Sequence, residues 1–306
     1  MVYSAAVWAF DWAPPYENAI ASIAKTGCKG VELRIRTREE LAQYYTDERV
    51  SALKAQLAQT GLALTALNVT PQGASSVDKS EREQAVRDFR RAADIAEALG
   101  AKLITVAASY PFDVEIIDEH YKPSMQVWEV KLPDNPDFAQ NYEDYLDTLH
   151  QFAAVCREKG MKLAIENQPT SWARNTDAVL RLLEKLGEDN VGVTYDVANL
   201  TMVGELAEIF AYRVNKHIFN VQLADNHGLS NVHWRPGKGK NDFNALMRAL
   251  ADVGYDGPYC LELGDAKGAA RNPAAWYEPF GDHDTLVHEH ELAIAEMERV
   301  CREEGV

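Results

Sequence analysis

The 306-residue sequence lacks several features that would each point to a particular class of protein. No run approaches the roughly 18 apolar residues that cross a bilayer. The N-terminus has neither the basic start nor the cleavage pattern of a signal peptide. The four cysteines lie far apart without a CxxC pair: Cys28, Cys156, Cys260 and Cys301. These absences argue against a membrane protein, a zinc knuckle and a disulfide framework, and they predict a cytoplasmic protein.

Basic residues are also scarce. The chain has 31 lysines and arginines against 47 aspartates and glutamates, and its formal net charge is −16. Because affinity for nucleic acids depends on a basic surface, this balance argues against nucleic acid as a general partner. The remaining composition, 46% hydrophobic and 25% charged, is that of an ordinary globular chain with one large core or two modest ones.

The sequence does contain a repeated unit in which an amphipathic helix ends at a glycine and a short apolar run follows. Glycine suits the left-handed position at a helix end, and an apolar run directly behind it is typical of a strand buried on both faces. The unit is clearest after five glycines: Gly27, Gly61, Gly100, Gly160 and Gly254. It predicts helices that alternate with parallel strands.

The apolar runs predict eight strands. They lie near residues 3–8, 30–34, 62–68, 102–107, 162–166, 191–196, 217–223 and 258–262. Eight strand-then-helix units match the size and order of a (β/α)8 TIM barrel. No GxGxxG motif follows the first strand, as a Rossmann fold would require. We therefore predict an α/β fold in which residues 1–306 form a single TIM-barrel domain, with a doubly wound sheet as the weaker alternative.

One connection, residues 109–141, is much longer than the others. It contains prolines and aromatic residues, Tyr110 and Trp128 among them, and has no sustained hydrophobic period. Because it follows the fourth strand, it emerges at the barrel face where TIM-barrel enzymes place their chemistry. It is predicted to form a lid or a wall of the substrate site. The alternative is a packed surface excursion or a contact within a homo-oligomer.

Three buried apolar runs end in an acidic residue. KLAIE ends in Glu166, VGVTYD in Asp196 and PYCLE in Glu262, at the ends of the fifth, sixth and eighth strands. The carboxyl ends of all barrel strands meet at one mouth, and alternation along each strand lets these side chains point into it. A buried charge is costly unless it is paired or bound to a metal, so the three positions indicate a functional site.

The same positions indicate a divalent cation. Three converging carboxylates repel one another, and no lysine or arginine is expected beside them. On the seventh strand, HIFNVQL, Gln222 has the same inward parity as Asn220 and Ile218 and offers a fourth oxygen. An all-oxygen set made of the three acids and Gln222 suits one Mn²⁺ or Mg²⁺ ion more than Zn²⁺.

Other residues near the strand ends have weaker signals. His233, in the loop after the seventh strand, can act as an acid–base group, a substrate ligand or a support for another ligand. Trp8, Glu32 and Asn68 end or nearly end the first three strands, and they line the substrate pocket or have core and pairing roles. The three acids themselves have an alternative role as helix caps or as partners of three arginines: Arg174, Arg213 and Arg235.

The strand ends resemble those of a known family. The segments AIEN, TYDVAN and VQLADN, followed by RPGKGKNDFNALMRALADVGYDGPYCLEL, are similar to the xylose-isomerase-like TIM barrels. This sugar isomerase/epimerase superfamily includes ketose 3-epimerases, hydroxypyruvate isomerase, inosose isomerase and dehydratase, and endonuclease IV. The resemblance covers nearly the whole chain. It implies one catalytic metal held by Glu166, Asp196, Gln222 and Glu262, the positions reached above from strand parity.

Two departures from the family pattern are visible. Gln222 stands where most members have a histidine, which leaves the identity of the metal open. Asn199 stands where many members have a histidine three residues after the aspartate. The endonuclease also needs histidines at the ends of the third and fourth strands, where this chain has Asn68 and residues 107–109. The trinuclear zinc site of a DNA-repair enzyme is therefore not expected.

The resemblance implies a divalent-metal-dependent isomerase or epimerase that acts on a keto-sugar or a polyol-derived substrate. A base would remove a proton next to a carbonyl, and the metal would stabilise the resulting enediolate. Glu166 and Glu262 are the predicted bases on opposite faces of the substrate, and His233 is the third predicted catalytic residue. The predicted substrate-binding residues are Trp8, Glu32, Asn68, Tyr110, Trp128 and Arg235.

Two other functions stay open. The same enediolate can expel a group from the β carbon, which would make the protein a lyase or dehydratase of an inosose or 3-keto-glycoside, with His233 as proton donor to the leaving group. Tyr110 and Trp128 in the long loop would suit such a larger substrate. A non-catalytic carbohydrate-binding barrel is the alternative from another class, because a fold alone does not determine function.

Overall fold

A computed structural model describes residues 1–113, 116–117, 129–130, 132–229, 231–264 and 282–306. Eight parallel strands close a barrel in chain order, and the last strand pairs with the first. These strands are β1 (Tyr3–Ala6), β2 (Gly30–Ile35), β3 (Ala63–Val69), β4 (Leu103–Ala107), β7 (Lys162–Glu166), β8 (Val191–Asp196), β9 (Ile218–Leu223) and β10 (Tyr259–Leu261). The single-domain (β/α)8 TIM barrel predicted from the sequence is confirmed.

The long connection after β4 contains a small antiparallel pair of strands, β5 (Ile116–Ile117) and β6 (Glu129–Val130). The rest of residues 114–131, including Trp128, lies outside the described residues. The role of residues 109–141 as a lid or substrate wall therefore stays a prediction.

Helices alternate with the barrel strands, and their ends follow from local sequence. Side-chain oxygens of Asp, Asn or Thr accept a backbone N–H at most helix starts, as Asn175 does from Ala178. Gly61 and Gly100 end two of the helices in the left-handed conformation, as the sequence predicted. The helices are α1 (Glu17–Ile23), α2 (Arg38–Gln43), α3 (Asp47–Thr60), α4 (Lys79–Leu99), α5 (Phe138–Glu158), α6 (Thr176–Leu186), α7 (Val197–Met202), α8 (Ala207–Val214), α9 (Phe243–Asp252) and α10 (His283–Glu304). Within the described ranges, none of them is both long enough and apolar enough to cross a membrane.

The seventh barrel strand, β9, contains one extra residue. Its pairing with β8 passes from Val193–Ile218 to Thr194–Asn220, so Phe219 has no partner in the register. Phe219 packs inside the barrel against Ala66, Leu103 and Ala164, whereas Ile218 belongs to the larger hydrophobic cluster. The prediction that Ile218 shares the inward face of Gln222 was therefore wrong, because the bulge reverses the alternation below Asn220.

Candidate active site and metal centre

Three carboxylates meet at the carboxyl-terminal mouth of the barrel. Glu166 and Asp196 are the last residues of β7 and β8, and Glu262 directly follows β10. All three are buried. His233, from the loop after β9, joins them, and ligand atoms of Asp196, His233 and Glu262 lie within 4.8 Å of one another. The structure thus brings together residues that lie up to 96 positions apart in the chain.

Glu262 is oriented by an indole. The Trp8 Nε1–H donates to Glu262 Oε1 over 2.6 Å, and Gln222 Nε2 lies 3.4 Å from the same oxygen. The second oxygen, Oε2, has no hydrogen-bond donor in the described part of the chain and lies 3.7 Å from His233 Nδ1. Trp8 was predicted to bind substrate, and the structure places it where it holds one oxygen of Glu262.

Glu166 differs from Glu262 because both of its oxygens accept a hydrogen bond. Asn68 Nδ2 donates to Oε2 over 3.0 Å, and Gln168 Nε2 donates to Oε1 over 2.7 Å. Asn68 was predicted as a substrate residue, and Gln168 was missed. A polar residue two positions beyond a strand-end acid was the only local signal for Gln168. Two amides therefore fix the orientation of Glu166.

Asp196 has one engaged oxygen and one available oxygen. Oδ1 accepts the backbone N–H of Asn199 over 3.0 Å at the start of α7. Oδ2 is buried and, among the described residues, no donor reaches it. Asn167 fixes the backbone here, since it donates to the Asp196 carbonyl and accepts the Asp196 N–H. The alternative that the strand-end acids cap the next helix is therefore right for Asp196 Oδ1, which caps α7. Asp196 Oδ2 takes no part in this cap.

Gln222 and Glu32 lie side by side in the barrel interior. Gln222 Nε2 is 3.4 Å from Glu32 Oε2, and the Gln222 Oε1 atom is buried without a donor from any described residue. Glu32 also accepts the Asn220 side-chain N–H over 2.7 Å. Burial raises the pKa of Glu32 to about 7, although the bonds from Asn220, Cys260 and Gln222 oppose this shift. Glu32 thus supports Gln222 through an amide contact.

The donor set fits a divalent cation. Three buried oxygens have lone pairs that no described hydrogen-bond donor satisfies: Asp196 Oδ2, Gln222 Oε1 and Glu262 Oε2. A buried acceptor without a partner costs free energy, and a cation satisfies several such oxygens at once. Of the arginines in the alternative pairing, Arg213 pairs with Asp177 and Arg235 with Glu289.

The charges of the site are strongly perturbed. Burial is the largest cause that raises the pKa of Glu166, Asp196 and Glu262. The charge of Glu166 raises the pKa of Asp196 further, and the charges of Asp196, Glu166 and Glu32 raise that of Glu262. A side-chain hydrogen bond with Glu262 lowers the pKa of Asp196 in part. The negative charge of neighbouring acids thus disfavours the ionised forms of Asp196 and Glu262, which a bound cation would offset.

The prediction that no arginine lies near the acids was wrong. Arg34 follows Glu32 by two positions on β2 and therefore shares its face. Burial lowers the pKa of Arg34, while the charges of Glu166 and Glu262 raise it, and the Arg34 charge lowers the pKa of Glu166. The guanidinium lies 4.9 Å from the centre of the Trp12 ring. The alternation in GVELRIR was the available sequence signal for this cation.

The loop that carries His233 is anchored by Asp225. The Asp225 carboxylate accepts the backbone N–H groups of Gly237, Gly239 and Asn241. Its backbone exchanges two hydrogen bonds with Trp234, of 2.8 and 2.9 Å. A side chain on Gly239 would collide with Asp225, so the loop packs closely on its anchor. His233, the neighbour of Trp234, is consequently held at a defined position.

The remaining predicted substrate residues are Arg235, Tyr110 and Trp128. Arg235 Nε lies 3.1 Å from Glu289 Oε2 on α10, so an acid already pairs with this cation. Tyr110 hydrogen-bonds with Thr170, and burial together with the charge of Glu166 raises its pKa. Trp128 lies outside the described residues.

Curated relatives carry names from sugar and inositol chemistry. The chain is 23% identical over 240 residues to inosose isomerase of Bacillus velezensis, across 76% of this chain and 78% of that protein. It is 22% identical over 280 residues to inosose dehydratase of Geobacillus thermodenitrificans, across 84% and 85%. Against an uncharacterized protein of Methanocaldococcus jannaschii, 23% identical, the match spans only 57% of that protein's length and 54% of this chain.

Solved structures share the fold over nearly the whole chain. D-psicose 3-epimerase from Clostridium cellulolyticum H10, solved with D-tagatose, superposes with a TM-score of 0.76 at 18% identity, over 98% of this chain and 99% of that one. An IOLI protein with a binding zinc atom superposes with a TM-score of 0.72 at 16% identity, over 99% of both chains. At these identities the similarity shows the fold alone.

A family model described as a xylose isomerase-like TIM barrel matches residues 20–280. The match includes all four strand-end positions quoted from the sequence. Together with the closed eight-stranded barrel, it confirms the resemblance that the sequence indicated. The chain belongs to the xylose isomerase-like TIM barrel family.

Proposed function

We propose that the protein is a divalent-metal-dependent isomerase or epimerase of a keto-sugar, working by proton transfer at a carbon next to a carbonyl. The observation that carries the proposal is the contrast between the acids. Asp196, Gln222 and Glu262 each keep a buried oxygen that no described donor reaches, whereas both oxygens of Glu166 are hydrogen-bonded. The first three suit a cation and the fourth suits a positioned base.

Asp196, Gln222 and Glu262 would hold the ion, and the family pattern adds Glu166 as a fourth ligand. When bound, the ion would supply a positive charge beside the substrate carbonyl oxygen. That charge stabilises the negative charge that develops on this oxygen. Glu166, oriented by Asn68 and Gln168, takes the proton on one face of the substrate. Glu262, oriented by Trp8 and protonated at the start, gives its own proton to the other face, and exchange of both carboxyl groups with solvent restores the starting state.

Arg34 has a supporting role in this scheme. Removing a proton from the substrate adds negative charge to a site that already contains several carboxylates. A fixed guanidinium that interacts with the charges of both Glu166 and Glu262 lowers the cost of that step. The names of the relatives, inosose isomerase and D-psicose 3-epimerase, support a substrate with a carbonyl flanked by hydroxyl groups.

A second candidate reaction is elimination of a β-leaving group from a keto-sugar or inosose. His233 favours it, because its Nδ1 lies 3.7 Å from Glu262 Oε2 at the mouth of the barrel, where a proton donor to a leaving group would be needed. The match to inosose dehydratase over 84% of the chain also supports it. Both reactions begin with the same proton abstraction.

The Glu262→Gln variant tests the proposed chemistry. Purified wild-type protein should contain about one divalent ion per chain, and it should exchange a substrate proton with deuterated solvent for at least one member of a keto-sugar panel. Glu262→Gln should remain folded and lose roughly two orders of magnitude or more in turnover. The exposed Glu158→Gln, which breaks a surface pair with Arg90, is the control and should keep full activity.

The product analysis separates the alternatives. Release of a leaving group or of water together with exchange would assign the protein as a lyase or dehydratase, and exchange with an isomerised product as an isomerase or epimerase. Full activity of Glu262→Gln would contradict the assignment of Glu262. Binding of sugars without exchange for any of them would favour the non-catalytic barrel.

A further inference from the structure

The position of His233 has a consequence for the metal centre that the family pattern does not contain. We propose that His233 provides a nitrogen ligand to the ion from the loop after β9, together with Asp196 and Glu262. The inference rests on the proposed function, since it assumes that this centre binds a divalent cation.

The first argument is the distance between ligand atoms. One atom each of Asp196, His233 and Glu262 lies within 4.8 Å of the other two, and all three residues are buried. Atoms bound to one cation at about 2.0–2.3 Å from it cannot lie more than about 4.6 Å apart. The three groups therefore need to move only a few tenths of an ångström to share an ion.

The second argument is that one aromatic side chain positions two of these groups. Trp8 donates its N–H to Glu262 Oε1, which leaves Oε2 facing His233. The Trp8 ring also packs edge-on against the His233 ring, with centroids 5.6 Å apart. The imidazole and the carboxylate are thus oriented toward each other by the same indole, a constraint that an incidental loop histidine would not need.

The third argument is the rigidity of the loop itself. Three backbone N–H groups bind the Asp225 carboxylate, and Trp234 pairs with the Asp225 backbone on both sides. His233 is 7% exposed although it belongs to a loop. A metal ligand has to be held near its final position, and this anchoring does so.

The fourth argument concerns Gln222 and Glu166. The amide Nε2 of Gln222 faces Glu32 and Glu262, so this residue can offer the ion only its oxygen. Both oxygens of Glu166 already accept amide hydrogen bonds. Gln222 on β9 cannot supply a nitrogen ligand. Such a ligand would come from His233 instead. A mixed nitrogen and oxygen set favours Mn²⁺, Co²⁺ or Zn²⁺ over Mg²⁺, in contrast to the all-oxygen set predicted from the sequence.

Pulsed electron paramagnetic resonance of the full chain loaded with Mn²⁺ tests this assignment. The wild-type protein should show the hyperfine coupling of a directly bound imidazole nitrogen, and the coupling should change when histidine is labelled with the heavy nitrogen isotope. His233→Gln should lose the coupling and bind Mn²⁺ at least about tenfold more weakly. His227→Gln, a change in the same loop at a ring that packs on Trp234, should keep it.

Each outcome decides the question. Bound Mn²⁺ without nitrogen coupling in the wild-type protein would overturn the assignment of His233 and leave the proposed metal-dependent function intact. Coupling that persists in His233→Gln would also overturn it. If the wild-type protein binds neither Mn²⁺ nor Zn²⁺ in a direct titration, both this inference and the proposed function are wrong. The labelled wild-type sample answers the first question even if His233→Gln does not fold.

Discussion

At the scale of single residues, the acids at the barrel mouth differ in how many of their carboxylate oxygens accept hydrogen bonds from neighbouring side chains. Glu166 has two amide donors, and Glu262 has an indole on one oxygen only. Because a hydrogen bond to a charged carboxylate stabilises that form, the two amides lower the pKa of Glu166 against the large effect of burial. Similar strand-end acids can therefore have different roles.

Replacing Gln168 by methionine tests this difference. The variant keeps the length of the side chain but removes the donor to Glu166 Oε1. The pKa of Glu166 should rise, so the acid limb of the kcat/KM profile should move to higher pH and kcat should fall about tenfold. Gln151→Met, at an exposed residue that bonds Asp147, is the matched control. An unchanged pH profile in Gln168→Met would contradict the role of Glu166 as base.

At the scale of elements, the β8–β9 pair shows how one glycine accommodates a bulge. Gly192 on β8 lies where the Phe219 ring fills the barrel interior, and a Cβ there would lie 2.6 Å from that ring and collide with the His217 carbonyl. The Lys162 ammonium lies over the Phe219 ring, 4.5 Å from the ring centre. The bulge places Asn220 and Gln222 on the inner face, where they contact Glu32.

Gly192→Ala should destabilise the fold by about 1–3 kcal/mol, because the new methyl group overpacks the barrel interior. The free energy of unfolding in urea measures this change. Adding Phe219→Leu to Gly192→Ala should recover part of the loss, since the smaller side chain relieves the contact with the ring but not that with the carbonyl. A single variant as stable as the wild type would show that β9 does not approach Gly192 so closely.

At the scale of the whole molecule, the C-terminal helix α10 packs against α1 and α9. His290 on this helix is fully buried, its Nδ1–H donates to the Leu286 carbonyl over 2.7 Å, and its ring lies 5.0 Å from that of Phe10. Burial lowers the pKa of His290 to about 4, so this group is neutral in the folded protein at neutral pH.

This shift predicts how stability depends on pH. The unfolded chain binds the proton at about pH 6.5 and the folded chain only near 4, so the contribution of His290 is complete above pH 6.5 and is lost as the pH falls toward 4. Between pH 7 and 4.5 the loss amounts to about 2 kcal/mol. His290→Phe should lose correspondingly less stability over this range in urea unfolding. Parallel pH dependence of the two proteins would show that His290 titrates normally.

The sequence by itself determined the order of the barrel strands and most of their bounds, although the first strand ends at Ala6 and Trp8 lies in the 3-10 helix Val7–Ala9 that follows. The predicted fifth and sixth strands, 162–166 and 191–196, coincide with β7 and β8. Glycine at helix ends and apolar runs behind it act through neighbours in the chain, so they can be recognised without knowing the fold. The same local signals located the strand-end acids, and the common direction of parallel strands predicted that they meet.

Only the tertiary structure decided which atoms of these residues remain available. Trp8 reaches Glu262 across the closure between β1 and β10, from the other end of the chain, and Asn68 reaches Glu166 across the barrel mouth. Arg34 beside the acids and the bulge at Phe219 also depend on how the strands close. Such contacts join residues far apart in sequence, and each depends on register and strand geometry that no local pattern specifies. The positions of the acids were therefore predictable from the sequence. Which of their oxygens are available to a cation or to a proton depends on the closed barrel.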